Sequence, residues 1–431
     1  MKKNAFNTID IIVVAAPLPY TGGGGYRALL SIKEYQKRGI NPFLILPWYF
    51  QLIDQERIKK DISFLSREMI NIYGIATLPR VFSLNLPMKR RLIRFVMSQY
   101  PSLVKVTVNK KYAHEFQCVI SMHENLDAIT TSLKVGEMFS LKRIVLLQLP
   151  PFYENEERIK SINYINRLWI KLIKPNFLLK DLRMSLHEKV ERKVVKNIKY
   201  LLNSFDKILA VSRSIPTEMG EDWIHKVYSL DPGVALSQDD IQMIDEISKK
   251  IHKKEKIVIF GGKPTPEKGI IEALVAWKNI LKSVDQDYKL IVTGDIRSDL
   301  LTRLKWFCHK LNIENNVLFT GFISRKERLS FVAKAKMMLY PSHIDSFPYA
   351  VYEALHLNTP VVAYNIPALK VYYDGLEGVF LVKELDIKAL IQKSIDTIKN
   401  KKIYVEKPFF TRSWNEIMDE EINIIKSCIL D

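Results

Sequence analysis

At 431 residues the chain is longer than one hydrophobic core usually organises, and its 47% hydrophobic and 26% charged content excludes disordered and fibrous classes. Cys118, Cys308 and Cys428 are far apart and form no C-x-x-C pair, which excludes a cysteine metal cluster and predicts a reduced, intracellular setting. Residues 1–200 hold 33 Lys and Arg against 16 Asp and Glu and residues 201–431 hold 32 against 31, so the first half carries nearly all of the +18 net charge. That half is expected to face an anionic partner: a phospholipid surface, a lipid phosphate, an acidic polysaccharide or nucleic acid.

In chain order, the apolar run 9–16 (IDIIVVAA) follows Lys2 and Lys3 but is stopped by Pro17, Pro19 and a glycine cluster. It therefore reads as a buried strand and turn, not a signal peptide. A helix over 26–38 and a strand over 41–46 complete a strand, turn, helix, strand unit of the kind that builds parallel sheets. Further strands are predicted at 118–121, 144–148 and 207–212. Residues 158–199 carry twelve Lys or Arg and three acids, interleaved with Trp169, Ile170, Leu172, Ile173, Phe177, Leu178 and Leu179. Two readings stay open there: a basic amphipathic helix lying on an anionic membrane, or an ordinary helix pair with its apolar face inward. No run of about 18 apolar residues occurs, so no membrane-spanning helix is expected.

A break at Asp231-Pro232-Gly233 and a polar stretch precede a second α/β pattern. A strand at 256–260, a loop at 261–269 and a helix at 270–281 open it. Strands at 289–293, 317–320, 336–340 and 361–364 follow. Ligand sites in parallel sheets lie at the carboxyl ends of the strands, where these loops fall.

Residues 340–363 (YPSHIDSFPYAVYEALHLNTPVVA) place Asp345 just before a helix that opens near Pro348, and Glu353 inside it among apolar neighbours, where an acid usually has a partner. Backbone N–H groups at Ser346, Phe347 and after Pro348 are expected to form an anion site at the helix start. The string resembles the retaining GT-B glycosyltransferases of family 4, whose hallmark sets an acidic residue, seven residues, then glutamate within P-S-x-x-E-S-F-G-x-x-x-x-E-A-x-x-x-G-x-P-V-V-A. Asp345 stands for the usual glutamate, and Pro348 and Asn358 stand where glycine is common. The resemblance implies that Glu353 grips the nucleotide ribose and Asp345 the hydroxyls of the donor sugar.

Residues 261–269 (GGKPTPEKG) resemble the family's G-x-x-x-x-E-K-G loop, implying that Lys263, in the usual arginine's place, and Lys268 hold the donor diphosphate beside Gly262. Cations are needed there because negative charge builds on the diphosphate as the sugar departs. Gly23-Gly24-Gly25-Tyr26-Arg27, following Gly22, resembles the first-domain G-G-x-x-R turn, and His123 resembles that domain's active-site histidine. Gly294 with Asp295, and Ile323 in Gly321-Phe322-Ile323-Ser324, resemble loops that line the nucleotide pocket.

The resemblance thus implies an α/β, GT-B architecture of two facing Rossmann-like domains with parallel sheets and an interdomain cleft. Residues 1–229 would form an acceptor-side domain, 230–408 a nucleotide-sugar domain, and 409–431 a helix crossing back, entered through Phe410-Thr411-Arg412-Ser413-Trp414. The expected activity is retaining transfer of a sugar from a UDP or GDP sugar to an acceptor hydroxyl, on a lipid-linked or envelope glycan acceptor, in polysaccharide or glycolipid biosynthesis. His123, Lys268, Asp345 and Glu353 would be catalytic. Gly23, Gly24, Gly262, Lys263, Gly294, Ile323, Ser346, Phe347 and Pro348 would bind donor alongside the last three. No cofactor is expected and no metal is implied, because the two lysines supply positive charge. The expected place is cytoplasmic, peripheral on the inner membrane face; a nucleic-acid partner is disfavoured for want of a reading module. Sugar-nucleotide epimerisation, phosphorolysis and a turnover-deficient binding protein are the alternatives.

Overall fold

The structure, a computed structural model, describes residues 9–18, 23–79, 87–109, 115–173, 180–296, 298–400, 402–409 and 412–430, without the side chains of 87–91, 169–173, 180–189 and 191. Gly22, Phe177, Leu178, Leu179, Phe410 and Thr411 lie outside that description, as do the side chains of Trp169, Ile170, Leu172 and Ile173. Two compact units form. The first comprises residues 1–152, 180–234 and 412–431, and the second 153–179 and 235–411.

Eight strands make the sheet of the first unit: β1 (Ile9–Val14), β2 (Ile40–Leu46), β3 (Ile72–Thr77), β4 (Lys105–Val108), β5 (Cys118–Ser121), β6 (Lys142–Leu147), β7 (Lys207–Ala210) and β8 (Val227–Ser229). Their order is β4-β3-β2-β1-β5-β6-β7-β8, parallel throughout except that β4 runs antiparallel along β3. Chain order reverses between β1 and β5, the switch point at which such sheets take ligands. Ile11, Ile12, Val13 and Val14 are fully buried, as a central strand covered on both faces requires. The helix Trp414–Leu430 packs in this unit. Its Glu421 accepts from Arg27 at 2.5 Å and from the Tyr35 hydroxyl, all three being buried.

The second unit holds β9 (Ile257–Phe260), β10 (Lys289–Thr293), β11 (Val317–Gly321), β12 (Met337–Tyr340), β13 (Val361–Tyr364) and β14 (Val379–Val382), all parallel, in the order β11-β10-β9-β12-β13-β14. Its reversal falls between β9 and β12. β14 extends the sheet beyond the expected last strand, and β3, β4 and β8 are likewise additional to the predicted set.

The boundaries differ from expectation: residues 230–234 group with the first unit and 409–411 with the second. Residues 153–179, expected within the domain 1–229, group with the second unit. The cause is on the helix Glu156–Ile173: Arg158 donates twice to Glu384 at 2.7 and 2.8 Å and once to the His343 carbonyl at 2.7 Å, while Ser161 and Ile165 are buried. The described part of this helix thus turns one face into the second unit. No helix among the described residues is long and apolar enough to cross a membrane.

Candidate functional site

At the switch point of the second unit, two loops meet. One leaves β9 through Gly261, Gly262 and the exposed Lys263, makes a short 3-10 turn over Pro266–Lys268 and reaches Gly269, where φ is +75°. The other leaves β12 through Pro341, Ser342 and His343. A Cβ at Gly269 would lie 1.9 Å from the Pro341 carbonyl oxygen, so the two loops are pressed together at a spot only glycine fits.

That contact sets Lys268 against Asp345. The Lys268 ammonium donates to Asp345 Oδ2 at 2.6 Å and to the Ile344 carbonyl at 2.7 Å. The Tyr340 hydroxyl donates to the same carboxylate oxygen, and the Ser346 N–H donates to Asp345 Oδ1 at 2.9 Å. Burial, then the neighbouring Asp345 charge, holds the Tyr340 hydroxyl well above its ordinary value, so it stays a donor. At the helix start, Ser346 gives its N–H to Asp345, and the Phe347 ring packs edge-on to Tyr349 and Tyr372 at 5.2 and 5.0 Å. Pro348 is the N-cap residue of the helix Tyr349–His356, and its carbonyl accepts from Tyr373 at 3.1 Å.

Glu353, in that helix, is 1% exposed and has the partners its burial demands. Arg325 Nη2 reaches Oε1 at 2.8 Å, and Arg328 Nη2 reaches both oxygens at 2.8 and 2.7 Å. Both arginines come from the helix Arg325–Lys334, which opens on Ser324 just past Ile323. Gly294, at the end of β10, donates its N–H to the Gly321 carbonyl at 3.0 Å and so ties the β10 and β11 loops together. A pocket of about 440 Å³ adjoins these loops, lined by Ile165, Asn166, Glu267, Asp295, Leu300 and Ile344 among others. Its lining does not include Lys263, Lys268, Asp345 or Glu353.

In the first unit, the switch point gathers His123, Gly24 and Gln148. His123 follows β5 and accepts from the Ala16 N–H at 3.3 Å through Nε2; burial lowers its pKa to about 4, so the ring is neutral. Gln148, beyond β6, donates to the Met122 carbonyl at 2.6 Å and the Gly24 carbonyl at 3.1 Å. Gly23 and Gly24 open the helix Gly23–Lys37, and a Cβ at Gly24 would stand 3.0 Å from Gln148 Oε1. Arg27 points elsewhere, bonding the Gly233 carbonyl at 2.9 Å and Glu421, so the arginine of the G-G-x-x-R turn is a strut of this unit.

Of the predicted residues, the structure joins Lys268 directly to Asp345 and draws Gly24 and His123 to one strand-end cluster. Glu353 is held by two arginines that the sequence motif did not single out. Gln148 and Tyr340 were also unforeseen; their only sequence signal is a polar group at the end of an apolar strand.

Two Rossmann-like sheets of this topology define the GT-B fold. Anabaena Alr3699/HepE, solved in complex with UDP and glucose, shares it at 15% identity, with a TM-score of 0.57 over 97% of this chain and 100% of that one. Residues 243–407 match the family model described as Glycosyl transferases group 1. The alpha-monoglucosyldiacylglycerol synthase of Streptococcus pneumoniae is 27% identical over 46% of this chain and 47% of its own. The O-antigen chain mannosyltransferase RfbU of Salmonella typhimurium is 28% identical over 44% of this chain and 50% of its own. The chain thus spans about half the length of these curated relatives.

Proposed function

We propose that this chain is a retaining glycosyltransferase of family 4 that moves a sugar from a nucleoside diphosphate donor to an acceptor hydroxyl. The carrying observation is the 2.6 Å contact of Lys268 with Asp345 where β9 and β12 diverge. The cation and the carboxylate satisfy each other. On donor binding Lys268, with Lys263, turns to the diphosphate, and Asp345 accepts hydroxyls of the sugar while Tyr340 and the Ser346 N–H keep it oriented. Glu353 exchanges an arginine for the ribose hydroxyls.

The acceptor hydroxyl attacks the anomeric carbon on the face the diphosphate leaves, and a departing phosphate oxygen takes its proton. The bond from sugar to diphosphate breaks as the bond to acceptor forms. Positive groups aimed at the leaving diphosphate are worth about 10²–10³ in rate each. The lysines supply that charge, so a divalent metal is not part of the reading.

UDP as donor base is supported by the complex named for Alr3699/HepE, and a lipid-linked or envelope glycan acceptor by the names of the two curated relatives. The basic first half supports an anionic membrane surface as the place of work. A thermal-shift screen of UDP, GDP and their sugars tests the donor: a ligand at 100 times its Kd stabilises by about 2.7 kcal/mol. A folded chain that responds to none of them refutes the reading.

A further inference from the structure

Behind Asp345 lies a buried charged cluster that transfer chemistry leaves unused. His343 is fully buried two residues before Asp345. Its Nδ1 is 2.7 Å from Glu384 Oε1, and its Nε2 is 3.3 Å from Glu272 Oε1. Glu272 comes from the helix Ile270–Ile280, which starts directly after Gly269, and Glu384 from the turn after β14. Arg158, from the helix Glu156–Ile173, donates to both carboxylate oxygens of Glu384 and also to the His343 carbonyl. The His343 N–H donates to the Glu267 carbonyl at 2.9 Å, and the Tyr364 ring of β13 stands 5.2 Å from the imidazole. Three elements thus converge on one side chain and a fourth, through Arg158, on its carbonyl, and the His343 backbone N–H is bonded to the loop that carries Lys268.

The charges decide the state of that ring. Two carboxylates face one guanidinium, and a buried charge without a partner costs several kcal/mol. A proton on His343 brings the group to neutrality: Nδ1 then donates to Glu384, and the positive ring stands at ion-pair distance, without a hydrogen bond, from Glu272. We propose that His343, as an imidazolium balanced by Glu272 and Glu384, is the positioning residue that fixes the segment carrying Asp345. The helix bearing Arg158 completes the balance. The consequence for donor binding rests on the reading of Asp345 as the sugar's ligand; the positioning itself does not.

Burial opposes the charged ring, but the contacts and charges of Glu272 and Glu384 outweigh it and raise the pKa above the ordinary value. The stabilisation is then fully present below about pH 6.5 and fades as pH climbs through the higher folded value.

The test uses the full chain with His343→Gln, Glu272→Gln and the double variant, following amide hydrogen exchange of residues 341–346 from pH 6 to 9. His343→Gln is expected to lose at least tenfold protection there at pH 7, and Glu272→Gln in the same chain to restore it, because the pair is again neutral. Glu272→Gln alone needs no imidazolium, so its segment keeps its protection at the pH where wild type loosens. If His343→Gln does not fold, that single variant and wild type still decide the matter. Unchanged protection in His343→Gln, no restoration in the double variant, or matching pH responses of wild type and Glu272→Gln overturns the proposal. In parallel, KM for a nucleotide sugar should rise about tenfold in His343→Gln and fall back in the double variant. A wild-type chain that binds no nucleotide sugar refutes the functional reading, while the exchange data still judge His343.

Discussion

Gly269→Ala is the sharpest perturbation the structure offers. A left-handed backbone costs a non-glycine residue about 1–2 kcal/mol. The new methyl would also stand 1.9 Å from the Pro341 carbonyl oxygen, with the Pro341 carbonyl carbon at 2.7 Å, so backbone must move on one loop or the other. Overpacking of that kind adds about 1–3 kcal/mol. The sum is about 2–5 kcal/mol, which at about 2–4 °C per kcal/mol lowers the second unit's calorimetric transition by about 4–20 °C. Gly321→Ala is the control. Its φ of +69° carries a similar backbone cost, but nothing lies within 4 Å of the added methyl. The displaced loops would also part Lys268 from Asp345, so nucleotide-sugar affinity should fall in Gly269→Ala and hold better in the control. Equal thermal losses in the two variants would refute the argument that loop contact, and not φ alone, demands glycine at 269.

Lys268→Met should lower kcat by about 10²–10³ if its charge serves the leaving diphosphate, and Lys268→Arg should recover part of it; steady-state transfer rates decide. Arg27→Met strands the buried Glu421 carboxylate and should cost about 3–5 kcal/mol in urea unfolding. Arg27→Met with Glu421→Met should recover most of that loss, and failure to do so would show a packing role alone. His123 titrates near 4 when folded against about 6.5 unfolded, so about 3 kcal/mol of stability is lost as pH falls between those values. His123→Gln should flatten the denaturation midpoint across that window. On the proposed reading, in which Lys263 and Lys268 carry the charge, transfer activity should survive a strong chelator; abolition reversed by a divalent ion would defeat that reading.

The second sheet was legible because β9, β10, β12 and β13 are short apolar runs, buried on both faces, the first three followed directly by glycine or proline. β3 was not, since Gly74 interrupts it; a Cβ there would meet the Thr107 carbonyl at 2.6 Å, a cross-strand approach that only pairing reveals. β4 shows edge exposure and β8 has three residues, too short for any periodicity. Within the site, Lys268 and Asp345 were readable as motif residues, but their direct pairing is set by the fold. Arg325 and Arg328 lie on a helix rich in charge, where the sequence does not set them apart, and only Glu353 in apolar company hinted that something must meet it. Glu272 sits in similar apolar company, IIEALVAW, but its partners are more than 70 residues away and only the fold identifies them.

The polypeptide enters and leaves each unit more than once: at 152 it departs the first, at 180 it resumes it, and at 234 it departs again until 412. Neither half is therefore a continuous stretch that could be cut out at the Asp231-Pro232-Gly233 break. A fragment starting at residue 235 would carry Glu384 and Glu272 without Arg158, and the surplus negative charge would weigh on the segment holding Asp345. Restoring residues 153–179 as a separate peptide would return the missing guanidinium, so complementation, not truncation, is the way to obtain the second unit by itself.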